Sequence, residues 1–323
     1  MREGAAEALG AGDPGTDEEK AFLADLVAHG LFIRSGVAGV VGRGAVFENV
    51  IAAFDSLVSR SVAGDGAEFV RFPPVLPREH LERSGYLKSF PHLAGSVFSF
   101  AGSEDEAFEL GERARRHEDW SEFQSSTDVC LLPAACYPVY PWAASAGPLP
   151  TGGRLVDVSS YCFRHEPSPD PARLQSFRMR EHVRLGTPDE VVTWQQHWIE
   201  RGHELLGSLG LAATATPASD PFFGRAGRLL AANQRDQNLK VELVVPICSA
   251  DRPTAIMSIN YHQDHFGLDF GIHTAAGDVA HTACLGFGLE RIALALVRTH
   301  GFDPESWPSD VKALLWPDPT AIA

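Results

Sequence analysis

Two arginine-bearing segments carry most of the chemistry that this sequence offers. The first is Cys162-Phe163-Arg164-His165-Glu166, followed by a proline-rich loop and Arg178-Met179-Arg180-Glu181. The second is Gly286-Phe287-Gly288-Leu289-Glu290-Arg291, a glycine-bearing strand end running into an apolar helix. Glycines there let a ligand approach the backbone closely. An arginine just inside such a helix can clamp a polyphosphate. Either segment alone also fits plain surface ion pairs with neighbouring glutamates. The commoner signatures are missing: no G-x-x-x-x-G-K-[ST], no third glycine after Gly286-Phe287-Gly288, no G-x-S-x-G and no H-E-x-x-H. The segment 260–267 offers a different chemistry, a metal-dependent hydrolase built on His262, Asp264 and His265. Its weakness is spacing: histidines three apart share one side only on a helix, and Phe266-Gly267 breaks one. The alternative for this loop is a wall of the substrate pocket, with Asn260 facing the ligand.

Strands and helices in a definite order must position these residues. Helices are expected over 17–29 and 44–60, the second with Val46, Val50, Ile51, Phe54, Leu57 and Val58 at helical spacing. Strands are expected over 68–72, 96–100, 129–132, 155–164, 176–185, 239–246, 255–261 and 268–273. Pro73-Pro74 cannot donate to a sheet ladder and marks an edge or a strand end. Thr187-Pro188-Asp189-Glu190 is a strong helix start, with a capping threonine, a first-turn proline and a glutamate that completes a capping box. That helix should run to about 206, where Gly207 and Gly210 end it. A second helical segment is expected over 220–238, and a last helix over 289–300 stops at Gly301. Strands around a helical excursion, without regular strand–helix alternation, indicate an α+β fold with a largely antiparallel sheet. Arg164 and Arg180 should lie near one another on it.

Together and in this order the segments resemble motifs 2 and 3 of class II aminoacyl-tRNA synthetases, F-R-x-E and G-x-G-x-x-R. The stretch Glu68-Phe69-Val70-Arg71-Phe72-Pro73-Pro74, after a long helix, resembles motif 1, whose proline sits at a dimer interface. The element Leu132-Pro133-Ala134-Ala135-Cys136-Tyr137-Pro138 sharpens the likeness towards seryl-tRNA synthetases of the methanogen type, which hold zinc through Cys, Glu and Cys. The matching residues are Cys136, Glu181 and Cys284. Two thiolates and a carboxylate suit a zinc site that keeps its fourth position open; buried cysteines are also ordinary small hydrophobes, the reading preferred for Cys130, Cys162 and Cys248. A seryl-type core with no tRNA arm and a helical insertion between motifs 2 and 3 resembles the amino acid:[carrier protein] ligases. The resemblance implies a homodimer that activates glycine or alanine with ATP and passes it to the phosphopantetheine thiol of an acyl carrier protein. It implies that Arg164 binds the α-phosphate, Glu166 the adenine amino group and Arg291 the adenine and γ-phosphate. It also places His182 against the adenine, with Glu242 helping to hold Mg²⁺. The insertion, at about 188–238 within a catalytic domain spanning 17–323, would dock the carrier through Phe222, Phe223, Arg225 and Arg228, beside Arg235 and Lys240. A truncated seryl-tRNA synthetase or a non-catalytic regulatory paralogue is the alternative within the same fold.

Composition narrows the partners. The net charge is −15, from 27 Lys+Arg against 42 Asp+Glu, which opposes a tRNA-binding role that needs a basic field. Five cysteines with no C-x-x-C exclude a zinc ribbon and argue against a disulfide framework. No apolar run of membrane-spanning length occurs. Residues 1–16 lack the apolar stretch of a signal peptide, so a frayed leader and a cytoplasmic location are expected.

Overall fold

The computed structural model describes residues 15–318, without the side chains of 225, 226, 233 and 236. Most of the segment expected as a leader therefore lies outside the described residues. Helix α1 (Asp17–Ala28) starts on a Thr16–Glu19 capping box and leads into the hairpin β1 (Phe32–Arg34) and β2 (Val41–Arg43). Helix α2 (Ala45–Ser61) buries Phe47, Val50, Ile51, Phe54, Leu57 and Val58, the stripe its spacing predicts. Strands β3 (Glu68–Arg71) and β4 (Val75–Pro77) flank the Pro73-Pro74 break. Two short helices follow, α3 (Arg78–Arg83) and α4 (Tyr86–Ser89), then β5 (Ser96–Phe100) and α5 (Glu104–Arg115), none of whose residues is buried. Next come β6 (Gln124–Leu131), α6 (Val139–Ser145) and the long hairpin β7 (Arg154–Phe163) and β8 (Ser176–Gly186). Helix α7 (Pro188–Ser208) has the predicted Thr187–Glu190 box and precedes β9 (Thr214–Pro217) and α8 (Gly224–Asp236). Strands β10 (Lys240–Val245) and β11 (Thr254–Gln263), helix α9 (His265–Phe270), strand β12 (His281–Gly288) and helices α10 (Leu289–His300) and α11 (Ser309–Leu315) complete the order.

A seven-stranded sheet, β3-β7-β8-β12-β11-β10-β9, organises the molecule. Every pair in it is antiparallel except β3 with β7. The α+β expectation holds. Helices α2, α7 and α10 cover one face, which we call the back, with Phe54, Trp198, Leu285, Phe287 and Ile292 in one apolar core. The other face, the front, packs Val156, Val158, Val183 and Cys284 under Tyr140, Phe266 and Phe270. Three further strands, β4-β6-β5, form a small sheet beside it. Among the described residues no helix is long and apolar enough to cross a membrane.

Two expectations change here. The strand expected over 268–273 is helix α9, because Phe266 and Phe270, four apart, put both rings on Tyr140. The segment 188–238 is not helical throughout. Helix α7 belongs to the core, with Trp198 against Phe287, and β9 is an edge strand of the main sheet. Only α8 stands away from the back core.

Candidate active site

Strand alternation decides which side chains of β8 can meet a ligand. Phe177, Met179 and Glu181 face the front, where they line a cavity of about 430 Å³. Arg178, Arg180 and His182 point the other way. Strand β12 brings Gly286 beside Glu181 in register, and Asn260 on β11 stands opposite Cys284. A Cβ on Gly286 would come within 3.2 Å of Met179 Cε, so glycine keeps this stretch of floor open.

At the inner end, Cys136, Glu181 and Cys284 are all buried, and one ligand atom of each lies within 4.8 Å of the others. Glu181 Oε1 accepts hydrogen bonds from the backbone N–H groups of Ala135 (2.7 Å) and Cys136 (3.3 Å). Burial, reinforced by Cys284, lifts the Glu181 carboxyl to about 8. The hydrogen bond between the two thiols pushes Cys136 up and Cys284 down. Two thiols and an uncompensated carboxylate at this spacing suit a tetrahedral zinc ion with three protein ligands. Among the described residues no other cluster of three metal-ligating side chains is as tight. Asn260 Nδ2 is 3.6 Å from Cys284 Sγ, and its buried Oδ1 has no partner.

At the outer end stand Arg164 and Arg291. Arg164 Nε donates to the carbonyl of Pro133 (3.0 Å), and its guanidinium lies 5.5 Å from the centre of the Phe177 ring. Arg291 donates from Nε to Ala172 O (2.8 Å) and from Nη1 to Ala255 O (3.0 Å). Neither guanidinium forms an ion pair with a carboxylate among the described residues. Burial, then the charges of Arg164 and Arg173, hold Arg291 below its ordinary value. Guanidiniums that repel one another inside a cavity are stabilised when a polyanion enters. Glu166 and Glu242 also line this wall; Glu166 pairs with Arg173 at 3.3 Å and Glu242 with Lys240 at 3.0 Å.

Comparison with known proteins then decides the family. No family model matches the chain. Amino acid--[acyl-carrier-protein] ligase 1 of Bradyrhizobium diazoefficiens is 46% identical over 310 residues, spanning 96% of this chain and 95% of the relative. Ligase 2 of the same organism is 48% identical over 291 residues, spanning 90% of this chain and 87% of the relative. The chain belongs to the amino acid--[acyl-carrier-protein] ligase family. Its fold is that of class II synthetases: M. kandleri SerRS, in a crystal structure with A. aeolicus tRNASec, superposes with a TM-score of 0.77 at 19% identity, over 94% of this chain and 60% of that one.

Within this ligase three sequence expectations fail. His182 does not face the cavity. It is buried on the back, 5.2 Å from the Trp198 ring, because it follows Glu181 by one residue and the strand turns it over. The aromatic wall that the sequence reading missed is Phe177, identifiable by counting back in twos from Glu181. Arg180 is likewise on the back and not beside Arg164. Finally, the cation group around α8 is smaller than it looked. Lys240 is buried in an ion pair with Asp220 (2.6 Å), and Phe222 stacks on Phe90 while lining the cavity. Phe223 and Arg228 are exposed, and the Arg225 side chain lies outside the described residues.

Proposed function

We propose that this ligase activates a small amino acid, glycine or alanine, with ATP and transfers it to the phosphopantetheine thiol of an acyl carrier protein. The names of the two Bradyrhizobium relatives support the reaction class. The observation that carries it is the pair of guanidiniums, Arg164 and Arg291, without carboxylate partners in a cavity whose far end is the Cys136/Glu181/Cys284 cluster. The amino acid carboxylate is already ionised at neutral pH and needs no base to attack the α-phosphate. Arg164 and Arg291 hold the polyphosphate and offset the charge that builds up there. Phe177 and Glu166 receive the adenine. Mg²⁺ enters with ATP, with Glu242 as the nearby carboxylate. A zinc ion held by Cys136, Glu181 and Cys284 would supply an electrophilic anchor for the α-amino group. Asn260 Oδ1 is free to accept one of that group's remaining N–H bonds. Tyr140 and Phe266, with ring centroids 3.9 Å apart, fill the space beyond and favour a short side chain.

The carrier docks on α8, with Phe223 and Arg228 as its contact residues. Two copies meet along the edge strand β3, where Phe69 is 62% exposed. We place the enzyme in the cytoplasm. The test incubates the protein with ATP, each amino acid, and either holo-carrier protein or total tRNA. Loading of the carrier with glycine or alanine is expected. Charging of tRNA without charging of the carrier overturns the reading. Metal analysis of Cys136→Ser and Cys284→Ser checks the zinc site, and full zinc occupancy in either variant would sink that assignment.

A further inference from the structure

The proposed transfer contains a proton that no residue named so far removes. A thiol is a poor nucleophile until it loses that proton, and only a few per cent of a free thiol is ionised at neutral pH. Two histidines line the cavity on the side of α9, His262 and His265. His262 has both ring nitrogens engaged: Nδ1 lies 3.1 Å from Thr282 Oγ1 and Nε2 lies 3.5 Å from Cys284 Sγ. His265 is different. Its Nε2 lies 3.2 Å from the carbonyl of Ser84 and 3.4 Å from Asp269 Oδ2. Two oxygen acceptors at one nitrogen fix the ring proton there. That leaves Nδ1 as a lone-pair acceptor, with no protein partner among the described residues. The side chain is 52% exposed, so it stands at the mouth of the cavity and not in its floor.

The same rim joins His265 to the proposed carrier surface. Residues 84–90 touch His265 at Ser84. At their other end they touch the segment leading into α8, where the Phe223 N–H donates to Ser89 O (2.8 Å) and Phe222 stacks on Phe90. Helix α4 fills most of this stretch. Residues 84–90 thus bridge His265 to the chain that enters α8. An arm entering beside α8 therefore passes His265. Inward from it the side chains run Phe266, His262 and Cys284, each touching the next.

We infer that His265 Nδ1 is the proton acceptor for the incoming carrier thiol; this rests on the transfer reading above. The S–H bond breaks and its proton passes to Nδ1. The sulfur forms a bond to the aminoacyl carbonyl carbon, the carbon–oxygen bond to phosphate breaks, and AMP leaves with the electron pair. The leaving phosphate needs no proton, so the single proton taken up by His265 returns to solvent. The charged and titratable groups around the residue are Asp264 and Asp269 on its own segment, with Arg83 and His80 from α3. Arg83 Nε donates to Asp269 O, and His80 lies edge-on to Phe270. Tyr86 and Tyr137 line the same cavity.

The experiment forms the enzyme-bound adenylate first, then follows its transfer to holo-carrier and, separately, to free pantetheine across pH 6 to 9. His265→Ala and His265→Gln are compared with wild type. With a thiol pKa of about 8.5, the thiolate fraction at pH 7 is about 3%. Loss of the base should therefore slow transfer roughly ten- to thirtyfold at pH 7, and the defect should close towards pH 9. Wild-type transfer rates in both variants at pH 7 overturn the inference. So does a defect of equal size at pH 7 and pH 9, or a parallel loss of pyrophosphate exchange, each of which marks a structural role. If pantetheine shows the expected pattern while the carrier is not loaded, the acceptor reading fails and the role of His265 stands. A wild-type enzyme that loads neither overturns both.

Discussion

The two sides of the sheet at β8 hold arginine chemistry of opposite kinds. On the back, Arg178 donates from Nη1 and Nη2 to Glu48 (2.6 and 2.8 Å) and from Nε to Glu290 (2.9 Å). Arg180 reaches Asp157 and Asp55 at 3.1 Å each, and Ser59 at 2.7 Å. Burial works against the charge of Arg178, yet Glu48 and Glu290 carry it above its ordinary value. On the front, among the described residues, Arg164 and Arg291 donate hydrogen bonds only to carbonyl oxygens. Burial works against the charge of Arg164 but Tyr86, Cys162 and Glu166 hold it above its ordinary value, whereas Arg291 sits below its own. A guanidinium whose acceptors are all internal holds strands and helices together. One that lacks its carboxylate waits for a ligand to bring the charge. On the proposed function, the difference separates arginines that hold the fold from those that would receive a ligand.

The largest effect should come from cutting the back network. Arg180→Leu leaves Asp157 buried without its main partner, which typically costs about 3–5 kcal/mol. Denaturant unfolding should report that loss, and the double variant Arg180→Leu/Asp157→Leu should recover part of it. On the front, Arg164→Leu should behave in the opposite way. Pyrophosphate exchange should fall about a hundredfold or more, roughly 3–4 kcal/mol, while unfolding stability stays within about 1 kcal/mol, since no internal charge loses its partner. If Arg164→Leu unfolds as readily as Arg180→Leu, the contrast between the faces is wrong.

A smaller effect concerns His182, the back-face neighbour of Glu181. Burial lowers its pKa to about 4, against a weaker opposing pull from Asp157, and its Nε2 has no hydrogen-bond partner. Above about pH 6.5 the ring is neutral in both folded and unfolded chains. Between pH 6.5 and 4 the unfolded chain takes up a proton that the folded one refuses. Stability should therefore fall with pH across that window, by about 1–3 kcal/mol from this group. Unfolding curves at pH 7 and 4.5 for wild type and His182→Leu isolate the contribution. The variant should lose less on acidification, and an equal loss would mean that the ring is protonated in the folded protein.

The same strand shows what a reader of the sequence could and could not see. Helix α10 was legible to the residue and α7 at its start, because Gly301 and the Thr187–Glu190 box are local signals. The Cys136, Glu181 and Cys284 cluster could be named from motif positions, and the fold brings the three together. What failed was parity. Placing His182 in the cavity ignored that Glu181 was already there, and a strand cannot send adjacent residues to one side. Helix α9 was lost because Phe-Gly-Leu-Asp-Phe-Gly is too short for its period to choose between strand and helix. Lys240 read as a surface cation because its partners, Asp220 and Glu242, meet it only once the cavity forms.

That inward turn of Lys240 sets the smallest expected effect. With it gone from the surface, the proposed carrier face of α8 keeps Arg228 and Arg235, beside exposed Phe223 and Leu229. Arg235 Nη1 already bonds Ser219 Oγ at 2.6 Å, so Arg228 is the freer of the two. An exposed charge at an interface rim chiefly steers encounter and loses force as salt rises. Arg228→Glu should raise the KM for the carrier only a few-fold, about 0.5–1 kcal/mol, with little change in kcat and none in pyrophosphate exchange. Wild type should show a KM that climbs with ionic strength, and the variant a flatter or reversed dependence, because like charges now face each other. If KM and its salt dependence are the same in both proteins, α8 is not the docking face. The carrier must then approach from elsewhere on the rim, and the exposed charge of Arg228 would have no part in steering it.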